Sequence, residues 1–514
     1  MKTLADILRR NAALYPEHLA VADATVRRSH RELLARGLGI ARGLTGAGVQ
    51  RQQTVAVLSR NRTEYLEIYA ACELGSFIAV GLNWRLAVPE LVSILDDCAA
   101  RVLFYEAHFA TAAQELRARL PQSVLLVCID GPGQEFDRLA GTPGPDDDLG
   151  PSPDDLVYLV YTSGTTGKPK GVMLDHAGQL SSALSMALDT GAQLDDSLLA
   201  VMPLFHIGAR CKALAYTFRG AAVVVQSQFN AAGVLDAIQN ESVTALHLAP
   251  TMIQAVLEEQ DVRPRSLGSI RAVHYAAAPM PLPLLEKALQ RFGTVFTQFY
   301  GLTESGPVGT VLHRSQHLPL GTAQQRRRLA SAGQPSPTCR VRIVAGDGTD
   351  CEQGQVGEVL LSSPALMRGY WNNPEATRDA MPGGWLRTGD VGFLDEECFL
   401  FLVDRMKDMV VTGGENVYPR EVENALLLHD GVSAVAVVGI PDPKWGEAIL
   451  AFVVPRPGAE LGEQQLIDHT KSLIASYKKP RGVRFVDSLP LLPTGKVDKK
   501  ALRAPFWTSE ARAI

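Results

Sequence analysis

The chain has 514 residues, 46% hydrophobic and 20% charged, a soluble globular composition with enough apolar material for more than one core. Its 50 Lys and Arg against 55 Asp and Glu leave a formal charge of −5, too near balance for a nucleic-acid or membrane-surface binder. No apolar run approaches the roughly 20 residues of a membrane span, and MKTLADILRRNAALYPE at the start lacks the apolar stretch of a secretory signal.

In chain order, Thr54–Leu58 (TVAVL) reads as a buried strand, Glu64–Leu74 as a helix and Phe77–Val80 as the next strand. Glu90–Leu95 and Phe109–Leu120 have helical spacing, with strands at Val102–Tyr105 and Ser123–Ile129. Strands alternating with helices predict βαβ units and mainly parallel sheets. Gly131–Asp155 is rich in Gly, Pro and Asp and reads as a surface connection before the apolar Leu156–Tyr161. Val295–Phe299 is a further strand candidate. Near the C-terminus the charged Asp404–Asp408 separates strand-like Cys398–Val403 from Met409–Thr412. Strands at Ser433–Gly439, Ala448–Pro455 and Gly482–Val486 with a helix over Glu463–Tyr477 then predict a small separate αβ domain. The expected fold is α/β: a large N-terminal domain of mainly parallel sheets with flanking helices, and a small α+β C-terminal domain. The boundaries drawn are 1–403, a hinge at 404–407, and 408–514.

Cys72, Cys98, Cys128, Cys211, Cys339, Cys351 and Cys398 form an odd set without a CxxC pair. They read as reduced structural thiols of a cytoplasmic protein. The 11 histidines are scattered, with no metal-binding pair.

The sharpest feature is Tyr161-Thr-Ser-Gly-Thr-Thr-Gly-Lys-Pro-Lys-Gly171. Its glycines let backbone N–H groups approach an anion, its hydroxyls donate further hydrogen bonds and its lysines add charge. Pro169 stands where a Walker loop needs Ser or Thr, and it disfavours a following helical turn. A flexible surface turn is the alternative reading of the same composition.

The loop resembles the signature loop of the acyl-adenylate-forming superfamily: acyl-CoA synthetases, firefly-type luciferases and peptide-synthetase adenylation domains. Further motifs of that family follow in order: MPLFHIG from Met202, AAAPM from Ala276, YGLTES from Tyr300, GWLRTGD from Gly384, DRMKDM from Asp404, GGENVYP from Gly413 and PTGKVD from Pro493. They cover nearly the whole chain, and the likeness is to fatty-acid and coumarate CoA ligases. The resemblance implies a small-molecule carboxylic acid, ATP, Mg²⁺ and CoA as reactants and cofactors, with no nucleic-acid partner. A homo-oligomer is compatible with it.

It assigns ATP to Thr162, Ser163, Gly164, Thr165, Thr166, Gly167 and Lys170, with Ala277, Gln298, Phe299, Tyr300 and Gly301 around adenine. Thr303 would contact phosphate, Glu304 would ligate magnesium, and Asp390 and Arg405 would hold the ribose, Arg405 from across the domain junction. Lys496 would bridge the acid and the α-phosphate, and Lys407 would be the pivot about which the small domain rotates. Gly413 and Gly414 would border the pantetheine tunnel, and Trp445, Tyr477 and Lys479 would contact CoA. For the last three, capping the small core is an equal alternative.

The acid would enter past His206, with Arg210, Lys212 and Phe299 in the acyl pocket. Phe205-His206-Ile207 lacks the Asp that pairs an amino-acid ammonium in peptide-synthetase domains. Phe299 stands where many relatives have Gly and is expected to shorten the pocket. Arg210 and Lys212 either point to solvent or, if buried, suit a second polar group on the acid. The expected activity is acid–CoA ligation through acyl-AMP. The rivals are a ligase loading a separate carrier protein, no carrier domain following before Ile514, and a non-catalytic nucleotide-binding homologue.

Overall fold

The computed structural model describes residues 1–121, 124–144, 150–162, 169–278, 280–412, 415–491 and 497–507. Contacts gather the chain into two compact units, Met1–Val341 with Leu361–Leu386, and Arg342–Leu360 with Arg387–Ile514.

Among the described residues the first unit holds two large sheets. One runs Leu125–Cys128, Val102–Tyr105, Thr54–Leu58, Ile78–Gly81, Leu156–Thr162, Lys170–Asp175 and Gly369–Tyr370. It is parallel as far as Leu156–Thr162, and its last two strands are antiparallel. Every residue of Thr54–Leu58 is buried, as a strand covered on both faces requires. The second sheet has at its centre Phe296–Tyr300, Ala272–Tyr275, Ala245–Leu248, Ser197–Ala200 and Ala222–Val225, all parallel. One face carries Leu246, Leu248, Val273, Tyr275 and Phe296 into an apolar core with Val256, Leu257 and Leu285. By the two-residue period of a strand, His247, His274, Thr297 and Phe299 lie on the opposite face.

In the second unit, Leu386–Leu394 and Leu400–Arg405 form an antiparallel hairpin. Beyond it, Gly446–Pro455 pairs antiparallel with Val432–Asp442 and parallel with Gly482–Phe485. One side of this sheet is packed by Val422, Leu426, Leu466 and Ile467 from two helices, the other by Leu502 with Phe506 beside it. From Arg387 onward the hairpin clusters with the C-terminal unit, whereas the sequence reading drew its boundary after residue 403.

The mainly parallel sheets and the small C-terminal unit are present as expected. The predicted helix over Glu463–Tyr477 ends at Leu473: Ile474 turns extended and packs toward the small core, and Ser476–Lys478 forms a separate 3₁₀ turn. After Pro169 the chain enters the strand Lys170–Asp175, as the exclusion of a helical turn implies.

Candidate active site

The signature loop joins two antiparallel strands, with Thr162 opposite Lys170 in register. Ser163, Gly164, Thr165, Thr166 and Gly167 lie outside the described residues. Lys170 Nζ is 4.9 Å from the ring centroid of Tyr370, and the Tyr370 hydroxyl donates to Glu304 Oε1 at 3.0 Å. Burial and the Glu304 carboxylate both push the Tyr370 hydroxyl up from its ordinary pKa, so it stays a donor. Three segments far apart in sequence thus meet: the end of the signature loop, the YGLTES turn and the strand Gly369–Tyr370.

The turn itself is built rigidly. Thr303–Ser305 is a short 3₁₀ helix after the strand Phe296–Tyr300. The Leu302 amide donates to Ser305 Oγ at 2.9 Å, and the Met367 amide donates to the Glu304 carbonyl at 2.9 Å. Gly306 closes the turn at φ +70, where a Cβ would lie 2.0 Å from the Ala365 carbonyl oxygen. Only glycine fits that approach.

Gln298 Oε1 accepts from the Tyr275 hydroxyl at 3.2 Å, and Tyr300 ends the same strand opposite Thr310. Ala277 adopts φ 74, an uncommon conformation for alanine that costs free energy and is found at functional sites. Gly301 follows Tyr300, and a Cβ there would lie 2.5 Å from the Pro307 carbonyl oxygen.

His206 caps the N-terminus of the helix Ile207–Phe218, its ring 4.4 Å from that of Phe205. That helix buries both expected pocket cations, so the solvent alternative fails for each. Arg210 is ion-paired with Glu73, and its Nε donates to the Tyr158 hydroxyl at 3.0 Å. Burial opposes the guanidinium charge, but Glu73 and Tyr158 more than restore it, raising the pKa. Arg210 therefore has a resident carboxylate in the core. Lys212 lies over the Phe299 ring, its Nζ 2.7 Å from the centroid, and Phe299 also meets the His274 ring edge-on at 5.7 Å.

In the second unit Asp390 is buried and stands opposite Arg405 in the hairpin register. Arg405 thus stands on the neighbouring strand of the same hairpin as Asp390. Arg420 lies in the field of Asp390, Asp404 and Glu423, whose charges oppose the lowering of its pKa by burial. The Arg420 amide donates to Asp404 at 2.8 Å, and Arg503 pairs with Asp408 at 2.9 Å. Lys407 falls in the 3₁₀ turn Met406–Asp408 between those anchors. The Trp445 ring centroid is 4.9 Å from Lys444 Nζ and 4.7 Å from Arg481 Cζ. Tyr477 is 44% exposed beside Lys478, which favours a surface role over capping the core. Lys479 Nζ donates to the Ser476 carbonyl at 3.4 Å. Gly413, Gly414 and Lys496 lie outside the described residues.

Tyr370 and Arg420 were not singled out from sequence. Tyr370 sits in RGYWNN and Arg420 in YPREVEN, neither of which carries a local chemical signature. Their relevance comes only from what the fold places beside them.

A two-sheet α/β unit presenting a lysine-ended loop beside a hydroxyl–carboxylate turn has the parts of a nucleotide-activating enzyme. A family model described as AMP-binding enzyme matches residues 8–371, and one described as AMP-binding enzyme C-terminal domain matches 421–496. The chain belongs to this family of adenylate-forming enzymes. It is 37% identical to the feruloyl-CoA synthase of Amycolatopsis sp, covering 97% of this chain and 98% of that one. It is 36% identical to the fatty acid–[acyl-carrier-protein] ligase ScoC of Streptomyces coeruleorubidus, covering 92% and 91%. A solved Mycobacterium tuberculosis fatty acyl CoA synthetase has a TM-score of 0.79 at 34% identity, with 98% of each chain covered.

Proposed function

We propose that this enzyme is an ATP-dependent acid–CoA ligase. A carboxylate attacks the α-phosphorus of ATP, releasing pyrophosphate and forming acyl-AMP, and the CoA thiol then displaces AMP to give the thioester. Oxide is too poor a leaving group for the free acid to react directly, so activation must come first. Both half-reactions need positioning and charge neutralisation more than a covalent enzyme intermediate. The convergence of Lys170, Tyr370 and Glu304 is the single observation that carries this reading, because it sets a cation and a fixed carboxylate beside the signature loop.

In this reading residues 162–170 cradle the polyphosphate, Thr303 donates to phosphate, and Tyr300, Gly301, Gln298 and Ala277 frame adenine, while Phe299 contributes its backbone there and turns its ring to the acyl side against Lys212. Glu304 suits Mg²⁺, which takes one or two carboxylates and keeps phosphate oxygens and waters; among the described residues no cluster of three or more His, Cys, Asp or Glu could form an all-protein cage. When bound, Mg²⁺ would neutralise charge on the phosphates. Asp390 accepts from the ribose hydroxyls with Arg405 beside it, and His206 guards the acid's entry. Residues 404–407 act as the hinge for the C-terminal part, which brings Lys496 for adenylation. Gly413, Gly414, Trp445, Tyr477 and Lys479 serve CoA, two exposed or half-buried aromatics among cations suiting its nucleotide. Seven free thiols favour a cytoplasmic setting, and no helix among the described residues is long and apolar enough to cross a membrane.

The test is AMP release with ATP and Mg²⁺ across fatty acids, benzoates, cinnamates and dicarboxylates, each with and without CoA. CoA-dependent turnover supports the ligase. Pyrophosphate release that CoA does not stimulate favours transfer to a carrier protein, and no turnover with any acid favours a non-catalytic homologue. Lys496→Ala is expected to remove most adenylation while leaving thioester formation from preformed acyl-AMP largely intact. Equal loss in both half-reactions would refute that role.

A further inference from the structure

Lys212 is 2% exposed, and its Nζ has no hydrogen-bond partner. An amine so placed bears the full cost of desolvation unless something arrives to meet it. Phe299 covers it on one side. On the sheet face toward which this ring is directed, His274 also has an unpartnered buried Nδ1, while its Nε2 is paired with the Tyr216 hydroxyl at 2.8 Å. His247 is in register beside His274. Burial, reinforced by Lys212, lowers the pKa of both histidines and keeps them neutral, and an imidazole in either form offers the amine no counter-charge. The acid in electrostatic range is Asp189, which accepts from Ser336 Oγ at 2.5 Å and lies 3.6 Å from His313 Nε2. Burial pushes the Lys212 amine well below the ordinary lysine range, with Asp189 acting in the opposite direction.

The contrast with Arg210, two residues earlier on the same helix, defines the question. Arg210 has a carboxylate and a phenol of its own; Lys212 has neither. Resting on the ligase reading above, we propose that Lys212 is the specificity determinant at the far end of the acyl pocket and binds an oxygen acceptor on the acid, a phenol oxygen or a second carboxylate. His206 begins the helix Ile207–Phe218, and the six residues from it to Lys212 rise about 9 Å. With the reacting carboxylate near His206, the second oxygen would stand one aromatic ring plus a short side chain away. A long unsubstituted chain would leave the amine unmatched and would meet the Phe299 ring.

The experiment compares kcat/KM for cinnamate, 4-methylcinnamate, 4-hydroxycinnamate and 4-carboxycinnamate, acids of similar span that differ at the far end. In the wild type, the hydroxy or the carboxy acid is expected to exceed both apolar acids by roughly 10- to 100-fold, the worth of one buried charge-assisted hydrogen bond. Which of the two leads identifies the source of the oxygen. Lys212→Met is expected to bring that ratio close to one. A general loss of structure lowers all four acids together and leaves the ratio standing, so a retained ratio overturns the proposal. Lys212→Gln, similar in length but uncharged, is read the same way should the methionine variant not fold. Ligand-induced Tm shifts of the wild type give the same ranking without turnover. A wild type that treats the four acids alike, or prefers the apolar pair, overturns the inference while leaving the ligase reading intact. Absence of AMP formation with every acid overturns the ligase reading instead, and the Tm shifts then decide on Lys212.

Discussion

Tyr370 acts on the candidate site through one hydroxyl. That hydroxyl fixes Glu304 Oε1 while the ring lies beneath Lys170 Nζ, so a single side chain aligns a carboxylate with a cation. Tyr370→Phe keeps the ring and removes the donor. If Glu304 holds Mg²⁺, the freed carboxylate loses orientation, and the Mg²⁺ concentration for half-maximal pyrophosphate exchange should rise. The rate should fall roughly 3- to 10-fold, the worth of one ordinary hydrogen bond. An unchanged rate together with unchanged Mg²⁺ dependence would remove Tyr370 from the positioning of Glu304. The motif residues were legible from sequence because glycine, hydroxyl and carboxylate fall together within a few positions. Tyr370 was not, since its meaning depends on Glu304, 66 residues away in the chain. Arg210 shows the same limit in reverse: the charge was visible, but Glu73, 137 residues away, was not.

At the scale of elements, that Arg210–Glu73 pair joins two helices. Glu73 lies on Thr63–Gly75, which is buried on all sides, and Arg210 lies on Ile207–Phe218. The Tyr158 hydroxyl donates to Glu73 at 2.5 Å and receives from Arg210, which closes a three-membered network. Removing one partner of a buried pair strands the other charge. Arg210→Met should therefore destabilise the fold by about 3–5 kcal/mol. The double variant Glu73→Gln with Arg210→Met should recover much of that, because no uncompensated ion remains. Urea unfolding of the two variants checks this, and equal stability of the single and double variants would contradict it. The first helix was legible from its pattern as Glu64–Leu74, but the second helix and this contact were not. Local pattern tells which segments are buried and leaves open which buried charges face each other. The ends of elements shift for similar reasons, as at Leu473, where packing of Ile474 rather than helical periodicity stops the helix.

Over the whole molecule, the buried histidines of the first unit make stability depend on pH near neutrality. Burial lowers His176 to about 4, His317 to about 4 and His247 to about 3. His176 Nδ1 accepts from the Leu4 amide at 3.3 Å, a bond that protonation there would break. In the unfolded chain each imidazole takes up a proton near pH 6.5, whereas in the folded state it does so only near pH 3–4. Between those limits the unfolded state binds more protons, so stability falls as pH drops below about 6.5, each group adding a slope of up to about 1.4 kcal/mol per pH unit. Glu67 and Asp189, raised by burial, work the other way, but their unfolded values are near 4 and their effect begins only where the folded forms titrate. The first unit's urea midpoint should thus decrease steadily from pH 7.5 to pH 5, before most carboxylates are protonated. His176→Gln should flatten that decrease, because glutamine offers the Leu4 amide an acceptor that does not titrate in this range. A midpoint that is level or rises over this interval would mean that the histidines are not held neutral by burial.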